Sequence, residues 1–378
     1  MSETSDTEFL VALADARPTI DGIVDFVNSH PELGHEEVEC SAHLMGVLRE
    51  AGFEVTAGVG GMPTAFRAEI AGGLPGRTVG VVALYDAPAS LRADGVVDPI
   101  HSCGHGPQSA GVVGAALAFA AGRQSHAGRF VVVGCPADEI HSPLTRSIGG
   151  GKGVSAAQGV WDDIDVALYP HPEFIDTVWT KTLWMRRETA LVVGERTLSR
   201  DGVSTPVAAL AALATITEQT DPAQIIIERV VFDGDVEEGS GAVLEATFLS
   251  YSETEEGLET QMEPVRRLLG PAAWTQAGIV PAVRPDAAVT ALVADAFAAA
   301  GRGFDADPPA LPFPTDFGHV SRRVPSALVG IGRAEGWGYH TPLGAVQFAG
   351  PEGREIAEAT ARVIGLSVLR LGPPVAAS

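Results

Sequence analysis

An α/β fold with a mostly parallel sheet flanked by helices, interrupted by a small inserted α+β domain, is what the apolar patterning of this chain predicts. Three observations lead there. Val79–Leu84 and Phe130–Cys135 are short and almost wholly apolar, as strands buried on both faces are. Helical stretches alternate with such runs, the rhythm of a parallel sheet. That rhythm breaks near Thr180 and resumes after Pro281, so residues 181–282 read as an insert between a first part, 1–180, and a second part, 283–378.

The elements follow in order. Thr19–Asn28 and Glu36–Ala51 read as amphipathic helices, the second stopped by Gly52, with a turn at His30–Gly34 between them. Phe53–Val55, Thr64–Ile70 and Thr78–Leu84 read as strands, and Ser109–Gly122 as a close-packing helix of small residues. Phe130–Cys135 is a buried strand. A glycine loop, Gly149–Gly153, leads into a helical stretch ending at Gly159. Asp165–Leu168 is a short strand ending before Tyr169-Pro170-His171-Pro172. In the insert, Leu183–Val193, Ser204–Thr220, Ala223–Phe232, Ala242–Ser250 and Glu253–Leu269 give the order β-α-β-β-α of a ferredoxin-like domain. Helix Asp286–Ala300, strand Ser326–Ile331 and helix Glu352–Leu371 complete the chain.

Composition narrows the function. The 378 residues are 46% hydrophobic and 19% charged, enough for a large core. A net charge of −23 disfavours nucleic acid and anionic membrane surfaces, both of which need basic patches. The polar, acidic start at Met1–Phe9 has no signal-peptide character, and no run of 18 apolar residues suggests a membrane span. Cys40, Cys103 and Cys135 make no disulfide framework and suit a reducing cytoplasm.

The chemistry gathers at strand ends, where open α/β sheets place their functional groups. Asp86 follows Val79–Leu84, Asp138 and Glu139 follow Phe130–Cys135, His171 follows Asp165–Leu168, and His340 follows Ser326–Ile331. Cys103 and His105, two residues apart, can close on one ion from one side of a turn. Thiolate, imidazole and carboxylate together suit a divalent metal, zinc or manganese or cobalt. Such an ion polarises a carbonyl and acidifies water, and one of Asp138 and Glu139 is free to take the proton.

Taken together these segments resemble the M20 family of metallopeptidases and amidohydrolases, in the branch of aminoacylase-like enzymes and small dipeptidases. The motifs are His30-Pro31-Glu32-Leu33-Gly34, Tyr85-Asp86-Ala87-Pro88, Cys103-Gly104-His105, Pro136-Ala137-Asp138-Glu139, the Gly-Gly-Lys-Gly loop at 150–153, His171-Pro172, Thr315–Ser321 and His340-Thr341. The resemblance implies a zinc-exopeptidase-like catalytic domain with a ferredoxin-like lid that forms a homodimer. It implies one or two ions, zinc or manganese, on Cys103, His105, Glu139, His171 and His340. Asp138 takes the place of the general base and Asp86 that of a carboxylate orienting a ligand histidine. His141, His319 and Asp316 are further candidates to meet a small-molecule substrate.

Four departures mark the chain. The base is Asp138 where the family has Glu, which draws the carboxylate back by about 1.5 Å. Leu198 stands where the lid signature has a histidine that stabilises an oxyanion, with Arg196 or Arg200 as substitutes. The lid's Asn-containing stretch is replaced by the acidic Asp233–Glu238, which disfavours a carboxylate tail. Gly106 follows Cys-Gly-His where Asp or Asn is common. The expectation is a hydrolase of a small-molecule C–N bond, amide-type rather than a standard peptide. The alternatives are a binding protein on this scaffold and an ordinary dipeptidase or aminoacylase.

Overall fold

The computed structural model describes residues 3–91, 97–195, 205–233 and 241–374. In chain order the first elements are α1 (Glu3–Asp15), α2 (Arg17–Ser29), α3 (Val38–Glu50), β1 (Glu54–Ala57), β2 (Phe66–Ala71), β3 (Leu74–Ala83), β4 (Ala89–Leu91) and β5 (Val97–Pro99). Then come α4 (His105–Ala121), β6 (Ala127–Gly134), α5 (Pro143–Ile148), α6 (Gly151–Ala157), β7 (Val166–Glu173) and β8 (Thr177–Val178). The next group is β9 (Trp184–Glu195), α7 (Thr205–Gln219), β10 (Ile225–Asp233), β11 (Gly241–Ser252), α8 (Glu255–Leu269) and β12 (Ala273–Gln276). The last are α9 (Ala287–Ala299), α10 (Phe317–Ser321), β13 (Ser326–Gly332), α11 (Pro342–Ala349) and α12 (Pro351–Leu371). The chain divides into two compact units: Met1–Thr180 with Val283–Pro309 and Asp316–Ser378, and Lys181–Ala282 with Ala310–Thr315.

The first unit is built on a seven-stranded sheet of order β1-β2-β6-β3-β7-β13-β8. Its four central strands run parallel, with Val81 paired to Val132 on one side and Leu168 on the other. The outer strands are antiparallel. Small residues on α4 let its neighbours approach closely. A Cβ on Gly114 would meet Ile20 of α2 at 2.5 Å, and one on Gly111 would meet Thr360 of α12 at 2.5 Å. Helix α1, to which the sequence pattern assigned no element, forms because Phe9 is fully buried and Leu13 nearly so.

One strand differs from expectation. The Asp165–Leu168 run does not end before His171: β7 continues through Tyr169-Pro170-His171-Pro172 to Glu173, in register with β13. Two prolines argue against a central strand because they cannot donate to the ladder. Here the pairing of β7 with β3 ends at Leu168. Beyond it the Gln108 side chain bridges the diverging strands, donating to Val82 O at 2.8 Å and Pro170 O at 3.0 Å and accepting from Leu84 N at 2.9 Å. The prolines therefore occupy the part of β7 from which β3 has withdrawn.

The second unit has a four-stranded antiparallel sheet of order β10-β11-β9-β12, with α7 and α8 covering a core that includes Val192, Leu213, Ile216, Phe248 and Met262. This is the split βαβ arrangement. Its fourth strand, β12, has only four residues and was not foreseen. The lid positions read from sequence at 196–200 and 234–238 lie outside the described residues. Among the described residues no helix is long and apolar enough to cross a membrane.

Candidate metal centre

The first side chains of the site come from the turn into α4. Gly104 adopts φ 93°, and a Cβ there would press on the Phe348 ring at 2.9 Å. Only glycine suits both conditions. The turn leaves Cys103 just ahead of the helix and His105 on its first turn, fully buried. His105 Nδ1 lies 2.7 Å from Asp86 O and 2.9 Å from Asp86 Oδ1. Donating there, Nδ1 turns Nε2 toward the site, where it can ligate once its proton is displaced. Asp86 Oδ2 also accepts from Glu139 N at 2.8 Å, so one buried carboxylate positions both residues.

The turn after β6 brings the paired acids. Ala137 takes φ 58°, with its N–H donated to Glu37 Oε1 at 2.8 Å. Thr64 Oγ1 donates to the other oxygen of Glu37 at 2.8 Å. From this turn Asp138 Oδ2 reaches to 3.4 Å from His105 Nε2, while Glu139 Oε1 lies 3.5 Å from His340 Nε2.

On β7, His171 Nε2 is 3.8 Å from Cys103 Sγ, and its Nδ1 meets Pro172 O at 2.8 Å and Glu173 Oε1 at 3.2 Å. His340 enters from the loop after β13 at φ 55°, its N–H bonded to Ser102 O at 2.9 Å. Trp337 Nε1 and Tyr339 OH donate to Glu173 O and Pro172 O, tying this loop to the His171 strand.

The five candidates thus converge as two overlapping triads, Cys103–His105–His171 and Cys103–Glu139–His340, with ligating atoms within 4.8 Å of one another in each. Two observations fit a cation. His105 Nε2 and Glu139 Oε1 are buried without a hydrogen-bond partner, though they stand only 3.9 Å apart. Such atoms are costly to leave unpaired. The donors are thiolate, imidazole and carboxylate, the ligands of zinc and its neighbours. Burial opposes a Cys103 thiolate, but the charge of His105 and the neighbouring His171 and His340 imidazoles hold the thiol well below its ordinary value. Burial and the Cys103 thiolate push Glu139 up to about 8. His171 is held at about 10 by Cys103 and Glu173 against the effect of burial, and His340 at about 10 by the nearby Cys103 and Glu139.

The remaining candidates are placed differently. His141 is exposed and, with Glu139, Ser102 and His340, lines a cavity of about 90 Å³. Asp316 is spent on Lys152 Nζ at 2.8 Å and Gly153 N at 2.8 Å. His319 sits half-buried on α10 beside Gly153. His101 is buried against His105; burial and that neighbour's charge bring it down to about 3, so it is neutral. Sequence reasoning missed Lys152, Glu37, Tyr169 and Glu173. Glu173 had a signal: it stands two residues past His171, the spacing that shares a strand face.

Residues 76–349 match the family model for peptidase family M20/M25/M40. The chain belongs to this family. Among M20 relatives it is 34% identical over 173 residues to one polypeptide of the p-aminobenzoyl-glutamate hydrolase of Escherichia coli (strain K12), covering 43% of this chain and 34% of that protein. It is 28% identical over 173 residues to N-acetyl-L-cysteine deacetylase of Bacillus subtilis (strain 168), 42% of this chain and 39% of that one. The chain thus spans about a third to two fifths of the curated relatives it matches. A dinuclear metal-binding peptidase of the M20 family from Bacillus subtilis shares the fold, with a TM-score of 0.68 at 19% identity over 94% of this chain and 99% of that one.

Proposed function

We propose that this M20 chain is a metal-dependent hydrolase that cleaves the C–N bond of a small amide rather than a standard peptide. The observation that carries the reading is the pair of ligand triads sharing Cys103, with the Asp138 carboxylate beside them and outside both. One or two ions, zinc or manganese, suit that donor set, and Cys103, His105, Glu139, His171 and His340 would hold them. The names of the relatives, a p-aminobenzoyl-glutamate hydrolase and an N-acetyl-L-cysteine deacetylase, support the substrate class.

When bound, a divalent cation supplies Lewis acidity, polarising the scissile carbonyl and lowering the pKa of water to about 7. The chain supplies the rest. Asp86 and Glu173 fix the tautomers of His105 and His171, so that each presents Nε2. Asp138 Oδ2 receives the proton of the attacking water and returns it to the departing amine. Burial raises its pKa, but Lys152 and His105 more than offset this and hold the carboxyl below the usual range, so it is ionised and ready to accept.

The homodimer is part of the proposal. β10 is an edge strand of the second unit, with Ile226, Val230, Val231 and Phe232 all exposed. An apolar edge of this kind pairs readily with a second copy. A cytoplasmic location suits the free thiols of Cys40, Cys103 and Cys135.

The test is chelation, reloading with zinc or manganese, and assay on p-aminobenzoyl-glutamate, N-acetylcysteine and a dipeptide panel. Metal-dependent release of the amine from the acyl amino acids, with dipeptides cleaved more slowly, is expected. Failure to bind either metal refutes the hydrolase, and rapid cleavage of ordinary dipeptides refutes the substrate class.

A further inference from the structure

The Gly-Gly-Lys-Gly loop has no part in the ligand set, yet it carries a wholly buried cation. Lys152 is 0% exposed. Its Nζ is paired with Asp138 Oδ1 and with Asp316 Oδ1, the latter at 2.8 Å, and stands 4.9 Å from the centre of the Tyr169 ring. Asp316 in turn accepts from Gly153 N at 2.8 Å, which fixes the start of α6.

The glycines make this approach possible. A Cβ on Gly151 would sit 2.1 Å from Pro136 O, and one on Gly150 would sit 2.4 Å from Asp316 Oδ2. With both bare, the loop presses onto the turn that presents Asp138, and Gly151 N bonds to Pro136 O at 3.0 Å.

Resting on the hydrolase reading above, we infer that Lys152, anchored by Asp316, is a positioning residue that fixes the Asp138 carboxylate for proton transfer. The ammonium occupies Oδ1 and so leaves Oδ2 to face the ligand cluster, 3.4 Å from His105 Nε2 and 3.3 Å from Tyr169 OH. A buried ion pair holds geometry well because breaking it strands a charge. This answers the shorter acid: a carboxylate set back by one methylene works only if its orientation is set from behind. A glutamate at 138 would push its carboxylate past the Lys152 ammonium.

The test compares Lys152→Gln, Lys152→Met, Asp138→Glu and the double variant Lys152→Met/Asp138→Glu, each reloaded with zinc and followed by metal content, thermal melting and steady-state kinetics on p-aminobenzoyl-glutamate. Lys152→Met lowers kcat by about 100-fold, the cost of a misplacement near 1 Å, with KM and bound zinc unchanged. Lys152→Gln, which keeps a donor, loses less. Asp138→Glu loses activity in the native background, but in the double variant the two losses do not multiply, because the clamp that excluded the longer acid is gone. If Lys152→Met does not melt cooperatively, Lys152→Gln alone decides. Native kcat in a folded Lys152 variant overturns the inference, as does a fall in kcat matched by loss of zinc, or fully multiplicative losses. A native protein that binds zinc but cleaves none of the panel fails the hydrolase reading instead, before any variant is compared.

Discussion

Loading this site with metal must release protons, and the number follows from the structure. Without a cation, His171 and His340 are both held at about 10, and, against burial, Asp86 and Cys103 hold His105 well above its ordinary value, so at pH 7 all three rings are protonated. Glu139, at about 8, is largely protonated as well. A metal needs the neutral imidazole and the carboxylate. Each displaced proton makes binding about tenfold weaker per pH unit below the group's pKa. The sign is therefore fixed: affinity falls as pH falls. With all three histidine protons displaced, the overall loading constant drops about 1000-fold per unit below their pKa values, and more steeply below 8, where Glu139 joins. The perturbation is pH during reconstitution of chelated protein with zinc. The assay is titration calorimetry in buffers of different ionisation enthalpy, whose slope gives the protons released. Three or more per fully loaded site are expected at pH 7. Release of fewer than one would refute the assignment of these histidines as ligands.

Three further outcomes are expected. Asp138→Asn should lower kcat by about 10²–10⁴-fold while zinc content stays native, because Asp138 lies outside both triads; kinetics beside elemental analysis checks this. Asp163, gripped by Arg67 at 2.7 Å and by Arg129 at 2.6 Å, has its carboxyl held at about 2. That stabilisation is present above about pH 4 and lost as pH falls through 2. Because Asp163 is half-exposed and screened, Asp163→Ala should cost only about 1 kcal/mol or less in urea unfolding at pH 7, and less still in high salt. Phe9→Ala should cost about 3–5 kcal/mol in the same assay, since the ring is wholly buried against Gly365.

What the sequence could disclose follows from how local each signal is. Val79–Leu84 and Phe130–Cys135 declare themselves as central strands because both faces are buried and no polar residue interrupts them. β7 concealed its second half because two prolines are tolerated only where β3 has left the sheet, a fact of the fold and not of the segment. Helix α1 is legible only once Phe9 is known to have a glycine to pack on. In the site, the ligand types could be read at strand ends, but their convergence depends on turns with unusual backbone. Lys152 was invisible as a site residue: a lysine in a glycine loop reads as solvated, and its two acidic partners lie 14 and 164 positions away in the chain.

The turn that presents Asp138 and Glu139 supplies a last prediction. Ala137 is one of only three non-glycine residues among those described with positive φ, and His340 is another, so the site draws on strained backbone at two of its entry points. Glu37 holds the first of these, accepting from Ala137 N and Thr64 Oγ1, and burial together with Asp86 raises it to about 8. A carboxyl raised in the folded state contributes stability that is fully present below its unfolded value of 4.5 and is lost as pH rises through 8. Between those limits the loss is on the order of 1 kcal/mol per pH unit. Glu37→Gln mimics the neutral acid: its oxygen accepts from Ala137 N, and its amide, like the acid's O–H, donates to Thr64 Oγ1, reversing the bond that the ionised carboxylate accepts. The variant should therefore match the native protein near pH 5 and exceed it in stability at pH 9, as read by urea unfolding across that range. Parallel curves for the two proteins would show that Glu37 is ionised throughout, and that the turn is held by a charged carboxylate and not a neutral acid.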